Sequence, residues 1–446
     1  MNYLQAIDYL NRETTEGIKP DLSRIRFICQ KLSNPQLIYP TIHISGTNGK
    51  TSTARIIGTI LSCLGLRVGV FTSPHLVSYT ERIAVAQENI GETDFARVLE
   101  ELIPLFEETN RSSPEGKLTQ FEALTAMAFL YFREMGVDVA VIEVGMGGGW
   151  DATNTVMPRV AVVTNVSLEH TDRLGKTVED IAKEKVGIIK PASSVVTGID
   201  QSEILSIVKN KCQKEGATLK ILGQDFDFSV ERKGDRLLLL SKPKSSLSPF
   251  QALSIRGLFG NYNNLVLPLA GVHQAVNATL AITACELFLE RGRHLEDLRM
   301  VLPLALKGAA SPGRLELLME KPMLVLDGAH NPASAKALGE TLKEDFHYGK
   351  LILVLGILAD KDVEGILSHL VPLALVVIAT ENQSDRALPA ASLAGKVSRL
   401  TDRFIVERNL GRAIKIALGL ADEADLVLVT GSLYTVGEAK ELLSKG

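Results

Sequence analysis

Residues 41–52 read TIHISGTNGKTS, and this stretch indicates how the first half of the chain folds. Residues 41–45 are rich in β-branched side chains, which is typical of a buried strand. A glycine-rich turn follows at 46–49, and apolar residues then recur with helical spacing over 51–65. This order predicts a phosphate-binding loop, because glycines expose backbone N–H groups while a helix N-terminus and the Lys50 ammonium attract anions. The strict pattern has glycine where Ile44 stands, so the loop is a variant.

The alternation of strand and helix patterns continues on the C-terminal side of this loop. Short β-branched runs predict strands at 67–72, 137–144 and 159–166. Helical spacing runs over 93–108 and 120–135. The alternation predicts a parallel sheet with helices on both faces.

Residues 225–240 have a different pattern, in which polar and apolar residues alternate around Lys233–Asp235. That pattern predicts a β-hairpin. We therefore expect a small antiparallel appendage beside the parallel sheet.

A break in the pattern at residues 307–314 (KGAASPGR) indicates a linker between two domains. After the linker, a second series of strand patterns alternates with helices, at 323–327, 350–356, 373–380, 403–407 and 425–430. The sequence thus predicts an α/β protein of two domains. Residues 1–303 would form a phosphate-loop domain with the parallel sheet and the appendage, and residues 304–446 a smaller α/β domain.

Composition excludes several classes of protein. The 446 residues include 48 Lys and Arg against 52 Asp and Glu, a net charge of −4, so we expect no nucleic-acid or anionic-membrane partner. The N-terminus has no signal-peptide pattern and the apolar runs are strand-sized, which favours a cytoplasmic location and no membrane segment. Four scattered cysteines without a CxxC pair suggest neither a disulfide framework nor a zinc site.

Polar residues follow the predicted strands at their C-terminal ends. Ser73 follows the second strand, Glu143 ends the third, and Glu169 and His170 follow the fourth. Each alone is more often a surface or capping residue. Because the C-terminal ends of parallel strands meet at one crevice, a hydroxyl, a carboxylate and an imidazole there could hold Mg²⁺ beside a triphosphate.

Ten short motifs extend this pattern over nearly the whole chain: GTNGK (46–50), TSPHL (72–76), TQFEALT (119–125), EVGMGG (143–148), DATN (151–154), LEHTDRLGKTVEDIAKEKVGIIK (168–190), HQAVNA (273–278), PGR (312–314), DGAHNP (327–332) and GSLYTVGEAK (431–440). In their order and spacing, the chain resembles the folylpolyglutamate synthase/dihydrofolate synthase family of Mur-type ATP-dependent amide ligases.

The resemblance implies an N-terminal ATPase domain and a Rossmann-like C-terminal domain. It also implies a reaction in which ATP phosphorylates the carboxylate of a pterin-linked substrate and the amine of L-glutamate attacks the acyl phosphate. The small-molecule substrates would be ATP, L-glutamate, and dihydropteroate or a reduced folate. For the cofactors it implies Mg²⁺, with two ions expected, and a monovalent cation in addition.

Nucleotide-binding roles follow from the same resemblance. It places the phosphates of ATP against Thr47, Asn48, Gly49, Lys50, Thr51 and Ser52. It further places adenine at Asn277, the triphosphate at Arg314 and the ribose at Asp327. His330 would be a further nucleotide or substrate contact, and the alternative is an exposed loop histidine.

Metal and catalytic roles are also implied. Ser73, Glu143 and His170 would bind Mg²⁺, and Lys50, Lys185, His170 and Arg314 would form the catalytic group. Lys185 would be carbamylated, which turns a cation into an anionic oxygen donor for a second Mg²⁺. The alternative for Lys185 is a helix-surface lysine in a salt bridge.

The implied pterin site comprises Thr119, Phe121, Glu122, Trp150, Asp151 and Ala152. Phe121 offers an aromatic face for stacking, although core packing is the alternative for it. Some positions depart from the family's usual sequence, with Thr51 in place of glycine, Gly149 in place of arginine followed by Trp150, and Lys19–Asp21 in place of an apolar stretch.

Three other functions compete with this one. A Mur-type cell-wall amino-acid ligase would share the ATP site, but the TQFE, DGAHNP and GSLY segments argue against it. A nucleotide-binding regulatory protein without ligase activity fits less well, because the sequence has no NKxD-type guanine-reading element and two domains with Arg314 at their hinge suit catalysis by closure. An inactive homologue is the third, because Gly149 replaces an arginine. We expect a monomer.

Overall fold

The largest sheet has eight strands in the computed structural model, which describes residues 1–15, 20–114, 116–233, 236–237, 250–290 and 295–444. Its strands are β1 (Thr41–Ser45), β2 (Val68–Phe71), β3 (Ile83–Val85), β4 (Glu88–Asn89), β5 (Val139–Glu143), β6 (Pro158–Val163), β7 (Ser194–Thr197) and β8 (Thr218–Ile221). The order across the sheet is β4-β3-β2-β5-β1-β6-β7-β8. The four strands predicted in this region are confirmed within a few residues.

The sheet is not parallel throughout, which corrects the prediction. Strands β2, β5, β1, β6, β7 and β8 pair in parallel, whereas β3 and β4 run antiparallel at one edge. Ala86 and Gln87 join β3 to β4 with φ values of 52° and 71°, as a tight two-residue hairpin turn requires. The pattern of period two is too short in β3 and β4 to be detected in the sequence.

The described residues form helices α1 (Tyr3–Glu13), α2 (Ser23–Lys31), α3 (Lys50–Cys63), α4 (Glu92–Ser112), α5 (Gln120–Glu134), α6 (Val178–Lys185), α7 (Ser202–Glu215), α8 (Val272–Leu289), α9 (Leu295–Lys307), α10 (Pro332–Asp345), α11 (Val363–Leu370), α12 (Ala390–Val397), α13 (Leu410–Leu420) and α14 (Leu433–Ser444). Helices α4 and α5 pack on the sheet in a core that includes Phe71 and Ile142. Helices α6 and α7 pack in a second core that includes Val163 and Val195. Strands β1 and β5 are buried along their whole length, as central strands of a sheet covered on both faces are.

The predicted appendage is a four-stranded sheet, larger than a single hairpin. Its strands are β9 (Asp227–Lys233), β10 (Arg236–Leu237), β11 (Gln251–Arg256) and β12 (Asn261–Leu267), in the order β10-β9-β11-β12. Strands β9 and β10 pair antiparallel, with Lys233 opposite Arg236. The rest of the predicted hairpin, Gly234, Asp235 and residues 238–240, lies outside the described residues.

The third sheet contains β13 (Glu316–Glu320), β14 (Met323–Asp327), β15 (Leu351–Leu355), β16 (Val376–Glu381), β17 (Phe404–Asn409) and β18 (Leu426–Thr430). Its order is β13-β14-β18-β15-β16-β17, and all pairs are parallel except β13 with β14. Each of the five predicted strands after the linker is present. The parallel strands with intervening helices confirm the Rossmann-like α/β architecture.

Helix α8 has the length and apolar composition that would let a helix cross a membrane, and 83% of it is buried inside the protein. The absence of a polar face is what a helix surrounded by other elements requires. Helix α8 is thus a core helix by its packing.

The chain divides into two compact units. The first contains Met1–Phe228, Ile255–Tyr262 and Val276–Gly308, and the second contains Ser229–Ser254, Asn263–Ala275 and Ala309–Gly446. The domain limits at residues 303 and 304 stay a prediction.

Candidate active site

The predicted phosphate loop lies between β1 and α3, and two of its glycines have no room for a side chain. Gly46 has φ +146°, and a Cβ there would lie 1.9 Å from the Thr164 hydroxyl. Gly49 has φ +84°, and its Cβ would lie 2.2 Å from Asn277 Oδ1. Both positions therefore require glycine. Asn277 of α8, the residue predicted to contact adenine, therefore lies next to the loop.

Lys50 is the first residue of α3, and its side chain folds back over the loop. Its Nζ donates to the carbonyl oxygens of Gly46, at 2.6 Å, and Thr47, at 3.1 Å. The ammonium consequently lies at the helix N-terminus, where the backbone dipoles already favour an anion. The predicted contact of Lys50 with phosphate oxygens stays a prediction.

Glu143, at the end of β5, meets two other strand-end and loop groups. The Thr51 hydroxyl donates to its two carboxylate oxygens at 2.8 and 3.0 Å, and the Ser73 N–H donates to Oε2 at 3.2 Å. Glu143 is 1% exposed. Two of the three predicted magnesium ligands are therefore adjacent, and Thr51, where the family usually has glycine, lies against them.

His170, the third predicted ligand, lies in the loop after β6 beside Glu169. Its backbone has φ 47°, a left-handed value that is uncommon for histidine. Within the described ranges, no group of three or more His, Cys, Asp or Glu side chains is arranged to hold a metal ion. The predicted ligand set of Ser73, Glu143 and His170 is not such a group, because one of its three ligands is a serine hydroxyl.

Lys185 ends α6 and is buried, with 2% of its side chain exposed and its Nζ 2.5 Å from Glu169 Oε1. Burial lowers the pKa of Lys185 to about 8, although the Glu169 carboxylate opposes the change. Burial alone would raise the pKa of Glu169, but the Lys185 and Lys50 ammonium groups outweigh it and lower that pKa to about 2. Lys185 thus forms the salt bridge that the alternative predicts, but the predicted surface position is wrong, because the pair lies in the interior.

Three residues of the predicted pterin site begin helix α5. Thr119 caps the helix and donates to Glu122 Oε2 through its N–H, at 2.8 Å, and its hydroxyl, at 2.9 Å. Arg24 Nε donates to both Glu122 oxygens at 3.0 and 3.1 Å. Phe121 packs 5.7 Å from the Phe71 ring. Thr119 and Glu122 therefore have structural partners of their own.

The other three residues of that set follow β5. Asp151 accepts from the Met146 N–H at 2.9 Å and from the Thr153 hydroxyl at 2.5 Å. Its burial raises the pKa of the carboxyl group to about 6, against these hydrogen bonds. A Cβ on Gly145 would lie 2.6 Å from the Phe121 ring, so Phe121 lies close to the turn that leads to Asp151 and Ala152.

Trp150 is partly buried and packs against the core that contains Val163. The backbone N–H of Trp150 donates to Glu184 Oε1 at 3.0 Å. A Cβ on Gly149 would also lie 3.0 Å from that oxygen. The departure at residues 149–150 therefore faces a glutamate, whereas Lys19 of the N-terminal departure lies outside the described residues.

In the second unit, Asp327 ends β14 and accepts from the N–H groups of Leu315, at 2.9 Å, and Ala329, at 2.8 Å. Burial raises the pKa of Asp327, although the Arg314 guanidinium opposes the change. His330 is half-buried, and its Nδ1 is 2.8 Å from the Gly328 carbonyl oxygen. The structure thus brings Arg314 and Asp327 together and holds His330 in the same loop, so His330 is not a fully exposed histidine.

Sequence reasoning missed two residues that organise these sites. Asn165 follows β6 and contacts the phosphate loop through Asn48. Arg24 forms the buried ion pair with Glu122. Asn165 has the same signal as the predicted ligands, a polar side chain just after a parallel strand, whereas Arg24 has no signal in the sequence.

Comparison with known proteins places the chain in a family. The Mur ligase middle domain matches residues 44–285, and the Mur ligase glutamate ligase domain matches residues 313–433. A dihydrofolate synthase/folylpolyglutamate synthase from Mycobacterium tuberculosis is 38% identical over 96% of this chain and 91% of its own length. The corresponding Bacillus subtilis protein is 32% identical over 99% of each chain.

Solved structures agree. Mycobacterium tuberculosis folylpolyglutamate synthase complexed with ADP and AMPPCP has a TM-score of 0.89 and 36% identity, covering 100% of this chain and 98% of that one. Escherichia coli FolC in complex with DHPP and ADP has a TM-score of 0.86 and 29% identity over the same shares. These names favour a folate enzyme over a cell-wall ligase or a regulatory protein. The chain therefore belongs to the dihydrofolate synthase/folylpolyglutamate synthase family of Mur ligases and is an ATP-dependent ligase of glutamate and folates.

Proposed function

We propose that the enzyme transfers the γ-phosphoryl group of ATP to the free carboxylate of dihydropteroate or of a reduced folate. The amine of L-glutamate then attacks the acyl carbon, loses a proton and displaces phosphate, so that the products are the amide, ADP and phosphate. The observation that carries this proposal is the cluster of Lys50, Thr51 and Glu143, because it combines a phosphate loop with a buried carboxylate. Such a site stabilises the charge that develops on a transferred phosphoryl group.

The ATP contacts of this chain are proposed from the same residues as above. Backbone N–H groups at the start of α3 and the Lys50 ammonium would bind the phosphates. Asn277, beside Gly49, would contact adenine. Arg314 and Asp327 would contact the triphosphate and ribose, and His330 would add a further contact. The Arg314 guanidinium favours the ionised form of the Asp327 carboxyl group, although burial outweighs it and raises the pKa of Asp327.

The oxygen donors at Glu143 fit a magnesium ion. The Glu143 carboxylate and the Thr51 hydroxyl bonded to it are hard ligands of the kind that Mg²⁺ prefers, and the hydroxyl of Ser73, whose N–H bonds Glu143, would be another. Ser73, Glu143 and His170 would hold the ion, which would neutralise charge on the phosphate oxygens. A second Mg²⁺ and a monovalent cation belong to the same proposal and require an additional anionic ligand.

Lys185 would supply that ligand as a carbamate. Its amine attacks CO₂, a C–N bond forms, and a proton leaves the nitrogen. The reaction requires a neutral amine, and the lowered pKa of about 8 provides a larger neutral fraction at physiological pH than an ordinary lysine has.

The pterin ring would lie against Phe121 near Asp151 and Ala152, with Trp150, Thr119 and Glu122 around it. The turn at Gly145 brings Phe121 and the Asp151 segment together. An aromatic face beside a polar carboxyl group suits a flat heterocycle with hydrogen-bonding edges. We further propose that the enzyme is a cytoplasmic monomer.

A ligase assay tests the proposal. The chain is incubated with ATP, Mg²⁺ and L-glutamate, with dihydropteroate and tetrahydrofolate in parallel, and the products are identified by mass. We expect glutamylated products from both substrates. The Lys50→Ala variant should retain its melting temperature but lose turnover by roughly 10³-fold, because a charge that stabilises the transition state is removed.

Product from dihydropteroate alone would restrict the activity to addition of the first glutamate, and product from tetrahydrofolate alone would restrict it to extension of reduced folates. Product from neither, with ATP still bound, would refute the proposed substrates and direct attention to Thr51, Gly149 and Trp150. Full activity of Lys50→Ala would refute the assignment of the phosphate loop.

A further inference from the structure

Asn165 lies two residues after β6 and contacts the phosphate loop with both ends of its side-chain amide. Its Oδ1 accepts from the Asn48 N–H at 3.0 Å, and its Nδ2 donates to the Asn48 carbonyl oxygen at 3.0 Å. Its own carbonyl oxygen accepts from the Thr47 N–H at 2.9 Å. One residue therefore binds three backbone groups of two successive loop residues.

Neighbouring residues of the same segment add to this contact. The Thr164 hydroxyl donates to the Asn48 carbonyl oxygen at 2.7 Å. The Ser167 N–H donates to the Thr47 hydroxyl at 3.1 Å. The missing Cβ of Gly46 lets the loop approach Thr164 closely. Residues 46–48 of the loop are thus held by hydrogen bonds and close packing with the segment that follows β6.

These contacts decide which loop groups face a nucleotide. The Asn48 N–H points at Asn165, so the N–H groups directed at phosphates lie further along, at the N-terminus of α3. Lys50 begins that helix, and its position depends on the path of residues 47 and 48. A loop that is fixed before ATP binds does not lose conformational freedom on binding, which favours affinity.

The segment also continues to Glu169 and His170. Glu169 forms the buried ion pair with Lys185, and His170 is one of the proposed metal ligands. Asn165 is therefore the link between the phosphate loop and the segment that carries these two side chains.

We propose, on the basis of the proposed function, that Asn165 is a positioning residue for ATP. It holds Thr47 and Asn48 so that Gly49 and Lys50 face the triphosphate. It also fixes the position of the loop relative to Glu169 and His170. Asn165 itself need not touch the nucleotide.

The test is nucleotide binding by the full chain, measured by titration calorimetry with AMPPCP and, separately, with adenosine. Asn165→Ala removes two side-chain hydrogen bonds to the loop, and we expect the affinity for AMPPCP to fall roughly tenfold. The affinity for adenosine should stay within about twofold, because adenosine has no phosphate for the loop to bind. In the ligase assay, the KM for ATP should rise while the KM for L-glutamate is unchanged.

Gln251→Ala is the matched control. Gln251 is a buried amide in β11 whose Nε2 donates to the carbonyl oxygens of Leu269, at 2.6 Å, and Gly271, at 3.0 Å. Its loss should lower the melting temperature without changing AMPPCP affinity. Asn165→Asp keeps the acceptor for the Asn48 N–H but sets a carboxylate against its carbonyl oxygen, so it should also weaken AMPPCP binding, and it serves if the alanine variant does not fold.

AMPPCP affinity within twofold of the wild type in both Asn165→Ala and Asn165→Asp would overturn the proposal. Equal losses for AMPPCP and adenosine would overturn it too, because they indicate a general structural defect. If the wild-type enzyme forms no product in the ligase assay while the Asn165 variants selectively lose AMPPCP binding, the proposed substrates are refuted and the role of Asn165 stands. The two failures are therefore distinguishable.

Discussion

At the scale of single residues, the buried amine of Lys185 makes the most specific chemical prediction. We expect the wild-type enzyme, equilibrated with ¹³C-bicarbonate, to give a carbamate carbon signal in NMR that Lys185→Ala does not give. The reason is the lowered pKa of about 8, which leaves part of the amine neutral and reactive. The exposed Lys336 provides a control, since Lys336→Ala should keep the signal. A fully active enzyme without that signal would contradict the proposal.

The same scale shows what could be predicted of the site. Ser73, Glu143 and Lys50 were identified because strand ends and a glycine-rich turn have local signals, and the structure places each of them at such an end. The contact between Thr51 and Glu143 depends on which strands are neighbours, and β1 pairs with β5 although many residues separate them. The burial of Lys185 likewise depends on the packing of α6, which its own sequence does not reveal.

At the scale of secondary-structure elements, the ion pair between Arg24 of α2 and Glu122 of α5 supports a further prediction. Their side chains are 0% and 5% exposed, so removal of one partner leaves a buried charge. We expect Glu122→Gln to lower the free energy of unfolding by roughly 3 kcal/mol. The double variant Arg24→Met/Glu122→Gln should lose clearly less than the sum of the two single variants, as measured by urea unfolding.

The opposite end of α2 supplies the control. Lys31 pairs with Glu108 at 2.8 Å, but the two side chains are 48% and 46% exposed. Lys31→Met should change the free energy of unfolding by at most about 0.5 kcal/mol, because water screens exposed pairs. Additive losses at Arg24 and Glu122 would show that the buried pair has no coupling energy.

Elements with long apolar patterns were predictable, and short or charged ones were not. Strand β1 has the predicted limits, and the sequence predicts five of the six strands of the last sheet, β14–β18, but not β13. The antiparallel edge of β3 and β4 was missed because β4 has two residues, too few for a periodic signal. The pairing of Arg24 with Glu122 was missed because a charged residue in a sequence gives no indication that it is buried.

At the scale of the whole molecule, stability should depend on pH through its histidines. His43 in β1 is fully buried, and its Nε2 is 2.8 Å from the Thr153 hydroxyl. Among the residues that the structure describes, its Nδ1 has no hydrogen-bond partner. Burial lowers the pKa of His43 to about 3, and Lys190 adds to the effect. Burial also lowers the pKa of His75 and of His273 to about 4, aided by Arg82 and Arg314 respectively.

Each of these pKa values is lower in the folded protein than in the unfolded chain, so the unfolded chain binds more protons below pH 6.5. The contribution of these neutral histidines to the free energy of unfolding is therefore fully present above about pH 6.5. It is lost as the pH decreases toward their pKa values in the folded protein. For His43 alone the loss at pH 5 amounts to about 2 kcal/mol. Melting temperatures measured from pH 8 to pH 4.5 should decrease accordingly, and His43→Gln should flatten the decrease, whereas His347→Gln, at an exposed position, should not. Parallel pH profiles for the wild type and His43→Gln would show that acid acts elsewhere in the molecule.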